Sequence, residues 1–283
     1  MTSASRTSII AIMVILLVGS LSSVMILANK QTAYAHVFTG DESASFMSVI
    51  QILQAEANLV QSNIASNVSL AQDHAKAVVD VVNGNHTFGV LPDEVSENNK
   101  RVATDVIHTA NAVQTALKAK PTPTQADIKT KLDNLNATLQ EAVAVRLPKD
   151  AASNSTINGL ATKDLVNETL RQYSYAFGVA NASGASKNAT AKSGDPISSN
   201  TVMNMSAYQS AKALVSQAEK MLSQAKSVIP PNATATTKAA IVKLATDLSQ
   251  LKSSIDAKDP YEKVATLVMK TIYPDLDAAF RLK

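Results

Sequence analysis

FMSVIQILQAEANLVQSNIASNVSLAQDHAKAVVDVV, residues 46–82, decides the fold. Its apolar residues fall at Phe46, Ile50, Leu53, Ala57, Val60, Ile64, Val68, Ala71, Ala75, Val78 and Val82, in steps of three and four. That spacing returns every one of them to a single face of a 3.6-residue helix, whereas a strand would scatter them over both faces. The run lacks glycine and proline, so the expectation is one long helix from Asp41 and Glu42 to Gly84, about 60 Å if straight.

The same pattern recurs toward the C-terminus. Pro92-Asp93-Glu94 opens a second helix, proline suiting a first turn and carboxylates the positive helix end. It continues through Val102, Val106, Ala110, Val113 and Leu117 to Pro121. Thr124 caps a third, which carries Ile128, Leu132, Leu135, Leu139 and Val143 and stops before Pro148. A fourth starts at Thr162 and closes on Tyr173, Tyr175 and Phe177. A fifth runs from Tyr208 to Ile229, a sixth carries Ile241 to Ile255, and a seventh runs from Pro260 to a bend at Pro274. Sustained period-two alternation is missing. The fold class is therefore all-α, an antiparallel helical bundle or bundles of about seven helices. Residues 181–200, NASGASKNATAKSGDPISSN, are small and polar and read as a flexible linker. They divide a first bundle, 36–180, from a second hairpin or bundle, 201–283; one bundle with this stretch as a surface loop fits equally well.

The chain opens differently. Ser8–Ala28 carries no charge, Arg6 precedes it, and Ala33-Tyr34-Ala35 offers the small-x-small pattern cut by signal peptidases. Residues 1–35 read as a signal peptide or as an N-terminal membrane anchor, because about 20 apolar residues span a bilayer core. Either reading exports the rest, to the outer face of the cytoplasmic membrane, the pseudoperiplasm or the medium. Nine Asn-x-Ser/Thr sequons, at Asn67, Asn85, Asn136, Asn154, Asn167, Asn181, Asn188, Asn204 and Asn232, suit a glycoprotein of that compartment.

Composition narrows the function. Of 26 basic residues, Arg6 and Lys30 fall in the first 35, leaving 24 against 23 acidic residues. This balance gives no reason to expect nucleic acid as a partner. Without cysteine there is no disulfide, thiol catalysis or iron–sulfur cluster. The motifs of zinc proteases, serine hydrolases, phosphate-binding loops and di-iron bundles are missing too, so an enzyme is not expected. Copper is the one cofactor worth weighing. If cleavage follows Ala35, His36 becomes the first residue and offers its α-amine and its ring to one ion. His74, His86 or His108 could supply another nitrogen, and the thioethers of Met203 and Met205 could hold copper(I).

Three stretches resemble exported helical proteins of ammonia-oxidising archaea: AYAHVFTGDESASFMSVIQILQAEANLVQSNIASNVSLAQDHA at 33–75, DIKTKLDNLNATLQEAVAVRLPKD at 127–150 and TIYPDLDAAFRLK at 271–283. The resemblance implies an archaeal outer membrane face, abundant glycosylation and a copper-dependent neighbourhood. It also implies a role as an accessory subunit of archaeal ammonia monooxygenase. No residue role carries over. The expectation is a non-catalytic extracytoplasmic bundle acting as an accessory or scaffold subunit of a membrane complex or cell envelope, with protein partners. The alternatives are a copper-binding or copper-delivery protein using His36, and a ligand-binding or sensor bundle with a pocket lined by Tyr173, Tyr175 and Phe177.

Overall fold

A computed structural model describes residues 40–84, 91–121, 123–179, 201–229 and 232–282. The export segment 1–35, with its possible anchor at 8–28, lies outside these residues. So do His36, Asn85, His86 and the 181–200 stretch with Asn181 and Asn188. The described residues are all-helical. None of their helices is long and apolar enough to cross a membrane.

Residues 46–82 form two helices where the periodicity predicts one. Helix α1 spans Gly40–Asn63 and α2 spans Val68–Val82. Between them Asn67 adopts φ −153°, and its side-chain oxygen accepts from the Leu70 N–H at 3.1 Å, capping α2. One uninterrupted helix would leave half its apolar stripe without a partner. Folding back at residues 64–67 packs the two halves on each other, and Ile64 is buried inside the turn, so the steps of three and four pass through the break unchanged.

Asn99 does the same further on. It caps α4, Lys100–Lys118, through bonds from the Arg101 and Val102 N–H groups, which leaves Leu91–Ser96 as a separate short helix, α3. Helix α5, Gln125–Arg146, starts as expected, with Thr124 and Asp127 forming a reciprocal capping box. Helix α6, Ser155–Ala176, begins seven residues before Thr162, under an Asn154 cap. Helices α7, Met205–Ser227, and α8, Ala235–Asp256, follow. The last helix, α9, continues through Pro274: Tyr261–Leu267 leads into a π-turn, Val268–Ile272, and then Tyr273–Phe280. Proline displaces the carbonyl four residues earlier, and the wider π-turn accommodates that displacement without ending the helix.

These helices close into two antiparallel four-helix rings. The first joins α1 to α2, α2 to α4, α4 to α5 and α5 back to α1, with α3 laid over one end. The second joins α6, α7, α8 and α9 in the same manner. The described residues fall in one compact unit. The division between the rings falls at the α5–α6 connection, so the helices flanking 181–200 are neighbours in one ring and make the largest helix pair of the fold. Helix α1 lies against α6 and α7, and α2 touches α7, which makes the seam between the rings.

Helix α6 is buried nearly all round, and two of its buried threonines are satisfied locally. The Thr162 and Thr169 hydroxyls donate back to the carbonyls of Asn158 and Leu165, at 2.7 and 2.8 Å. Facing it, α7 places Ala211, Ala218 and Ala225 every seven residues, alternating with Leu214 and Met221, so the two backbones approach closely.

Gly159 marks another close approach. A Cβ there would stand 2.4–2.8 Å from Cγ, Cδ2 and Cβ of Phe280 on α9. Phe280 Cβ is tied to its own backbone and has little room to yield. Gly159→Ala should therefore lower stability by about 1–2 kcal/mol, the overpacking cost exceeding the roughly 1 kcal/mol gain in helix propensity. Urea denaturation measures this; an unchanged or raised midpoint would contradict the contact.

Candidate functional site

Glu56 occupies the apolar stripe of α1 between Leu53 and Val60, and His74 that of α2 between Ala71 and Val78. Their neighbours carry both into the interior, where they are 2% and 1% exposed. The hairpin sets them face to face, His74 Nδ1 lying 2.7 Å from Glu56 Oε2. From the second ring, Gln209 of α7 places Oε1 2.8 Å from His74 Nε2. Asn63, at the end of α1, completes the group: its amide donates to Gln209 Oε1 and to the Leu59 carbonyl, both at 2.9 Å. Gln209 Nε2 donates in return to Asn63 Oδ1 at 3.3 Å.

The orientation of each group follows from the last. A main-chain carbonyl only accepts, so Asn63 must turn its NH₂ toward Leu59 and, with its other hydrogen, toward Gln209. Gln209 therefore presents oxygen to His74, and Nε2 must carry a proton. On the other side Nδ1 faces the Glu56 carboxyl, and with a proton on Nδ1 as well the ring is an imidazolium that donates to both partners. Burial is the largest influence on the ring and acts to lower its pKa. The hydrogen bond and charge of Glu56, the bond to Gln209 and the charge of Asp73 together outweigh it, and the pKa is raised above 6.5.

Of the sequence candidates for copper, His36 and His86 lie outside the described residues. His74 has both ring nitrogens committed, and His108 is exposed on α4. Met203 is 72% exposed with its sulfur against Gly178, and Met205 is 45% exposed at the start of α7. Among the described residues no three His, Cys, Asp or Glu side chains form a group that could hold a metal ion. Tyr173 and Phe177 fill the second ring: their centroids are 4.7 Å apart, and Phe177 meets Tyr208 edge-on at 6.3 Å. The hydroxyls of Tyr173 and Tyr208 donate to the carbonyls of Asp259 and Ile255, at 2.6 and 3.0 Å, tying down the α8–α9 connection. Burial pushes both phenols above the ordinary tyrosine pKa. Tyr175 stacks under Arg171, 5.1 Å from the guanidinium carbon.

Other charges are structural ties. Arg146, whose side chain is buried, donates to Glu94 Oε2 from Nε and Nη2 at 3.1 and 2.6 Å and lies over Phe46, fastening α3 and α5 to α1. Lys243 bridges Asp247 of α8 and Asp275 of α9. Burial, then the Asp275 bond, pushes Asp247 up; burial would raise Asp275 too, but its bonds to Asp247 and Lys243 hold it below the usual carboxylate range.

The sequons divide by position. Asn67, Asn154 and Asn204 are exposed helix caps whose Oδ1 accepts main-chain N–H bonds, and Asn232 is exposed before the Thr234 cap. Asn136 and Asn167 lie mid-helix, with the Thr138 and Thr169 hydroxyls bonded to the carbonyls of Asn134 and Leu165.

Glu56, Asn63 and Gln209 escape a reading based on apolar spacing. Their signal was a carboxylate and an imidazole standing on the stripes themselves, where solvent-facing charges do not belong. Removing one partner from such a pair leaves the other charged and unpaired in the interior. Glu56→Ala should destabilise the chain by about 3–5 kcal/mol, while the double replacement Glu56→Leu with His74→Leu should cost less than either single change. A urea double-mutant cycle decides it, and additive losses would refute the pairing.

No protein family, curated protein or solved structure matches the chain. What the site does rests on its own geometry.

Proposed function

We propose that this chain is a non-catalytic helical-bundle protein of the extracytoplasmic side that works by contact, as an accessory or scaffold subunit of a membrane complex or cell envelope. The observation carrying the reading is where the buried polar groups go. Glu56, His74, Asn63 and Gln209 satisfy one another across the seam, Arg146 holds Glu94, and the buried tyrosine hydroxyls are taken by main-chain carbonyls. A catalytic centre instead keeps donors, acceptors and perturbed acids aimed into a cleft where substrate sits.

The clefts of the described residues are lined differently. One of about 300 Å³ at the end of the second ring is bordered by Ser155, Thr234, Thr237, Phe280 and Arg281. Another, about 420 Å³ and shallow, runs beside the seam over Leu59, Met205, Tyr208 and Lys212. Neither of these two brings a paired acid and base together; a third, of about 200 Å³ between α7 and α8, holds Glu219, which accepts from the Ser249 hydroxyl at 3.2 Å and from Lys252 at 3.4 Å. Helices whose buried charges are mostly paired, with mixed charged surfaces, suit a role in which outer faces do the binding.

The address outside the cytoplasm rests on Ser8–Ala28, the Ala33-Tyr34-Ala35 site and the sequons, and the resemblance to exported archaeal proteins supports it. Asn67, Asn154, Asn204 and Asn232 are the asparagines expected to bear sugar, since each is exposed at a loop-to-helix junction. Native membranes solubilised in mild detergent test the reading. The chain is expected in a complex larger than its own 29.8 kDa, with glycopeptides at these four asparagines. A bare, monomeric chain in the cytosolic fraction would overturn it.

A further inference from the structure

The seam between the rings is closed by a group whose bonding capacity depends on one proton. We propose that His74 is a protonation-dependent clamp: doubly protonated, it bridges Glu56 of the first ring to Gln209 of the second, and with one proton lost it holds only one of the two, so the seam loosens beside α7, where Asn63 alone still bonds Gln209.

Both partners present acceptors to the ring, Glu56 Oε2 at 2.7 Å and Gln209 Oε1 at 2.8 Å. A neutral imidazole has a single N–H and can serve only one of them. Gln209 cannot restore the second bond by turning its amide over, because that would oppose its NH₂ to the NH₂ of Asn63. Asn63 cannot turn in compensation without abandoning the Leu59 carbonyl. The orientation is thus locked from the backbone outward, and deprotonation leaves an unmatched buried acceptor or a facing pair of lone pairs.

The surroundings favour the proton. Of the elements packed on α2, α1 supplies Glu56 and α7 the uncharged Gln209, while no described charge from α3 or α4 acts on the ring; Asp73, beside it on α2, adds a negative charge. Lys212, one turn beyond Gln209, is engaged with Asp256 at 2.6 Å. Because the folded ring holds its proton more tightly than the unfolded one, the linked stability is fully present below pH 6.5 and is lost as pH rises through the raised folded value. The clamp loosens on the alkaline side. It stands independently of what the outer faces contact.

The full chain in mild detergent serves for the test. It contains no cysteine, so Thr115→Cys on α4 and Gln250→Cys on α8, both exposed, carry a spin label on each ring and nowhere else. Nitrogen-15 spectra of the His74 ring give its protonation in the wild-type chain. The expected result is a ring doubly protonated at pH 6.5, titrating above it, with the inter-label distance distribution narrow below that titration and longer and broader above. In a His74→Gln chain the distribution should not change over the same range. A ring singly protonated at pH 6.5, or a distance distribution unmoved across the wild-type titration, would overturn the clamp. The ring spectrum alone decides the first point if the His74→Gln chain does not fold.

Discussion

The Glu56–His74 pair is the constraint around which the described structure is arranged. An ion pair in an apolar interior costs several kcal/mol in lost hydration for each charge, and it persists only where geometry and further hydrogen bonds return that cost. Here the return needs three helices at once. Helix α2 must fold back on α1 to bring the charges to 2.7 Å, and α7 must come from the other ring to satisfy the second ring nitrogen. The polar cluster therefore fixes which face of α1 meets the second ring. Apolar packing alone, built from Ala, Val and Leu on several faces, specifies such a register weakly.

Helix α1 is consequently shared. It closes the first ring between α2 and α5 and lies against α6 and α7 of the second. Helix α6 mirrors it, being buried nearly all round and carrying Ser48–Asp164 at 3.1 Å as a further tie across the seam. In a chain without cysteine, connections of this kind hold two small bundles together as one unit. Ties of this kind keep the outer faces in fixed relation, as the proposed scaffold role would require.

Much of this was legible in the sequence. The steps of three and four gave the helical class, Thr124 gave the start of α5, and Pro148 its end. Two breaks were hidden, at Asn67 and Asn99, for one physical reason: an asparagine cap starts a new helix without disturbing the apolar spacing on either side. The start of α6 was hidden for the opposite reason. It is buried on several faces, and Asn158, Gly159 and Thr162 fill interior positions where the spacing argument looks for large apolar residues. The π-turn before Pro274 was hidden as well, since nothing in the local sequence distinguishes it from ordinary helix. His74 stood out as an imidazole on the sequence, but its partner Gln209 is 135 residues away, and no local pattern announces so distant a bond.

Whether the seam makes the two rings one folding unit can be measured directly. Beyond residue 40 every tyrosine, from Tyr173 to Tyr273, lies in the second ring, whereas His74 and His108 lie in the first. Equilibrium urea unfolding near pH 6 can therefore be followed by tyrosine near-ultraviolet dichroism and, on the same samples, by the histidine ring resonances. The account predicts coincident transitions with one midpoint. Two separated transitions, the tyrosines losing their fixed environment while His74 keeps its folded resonance, would contradict it.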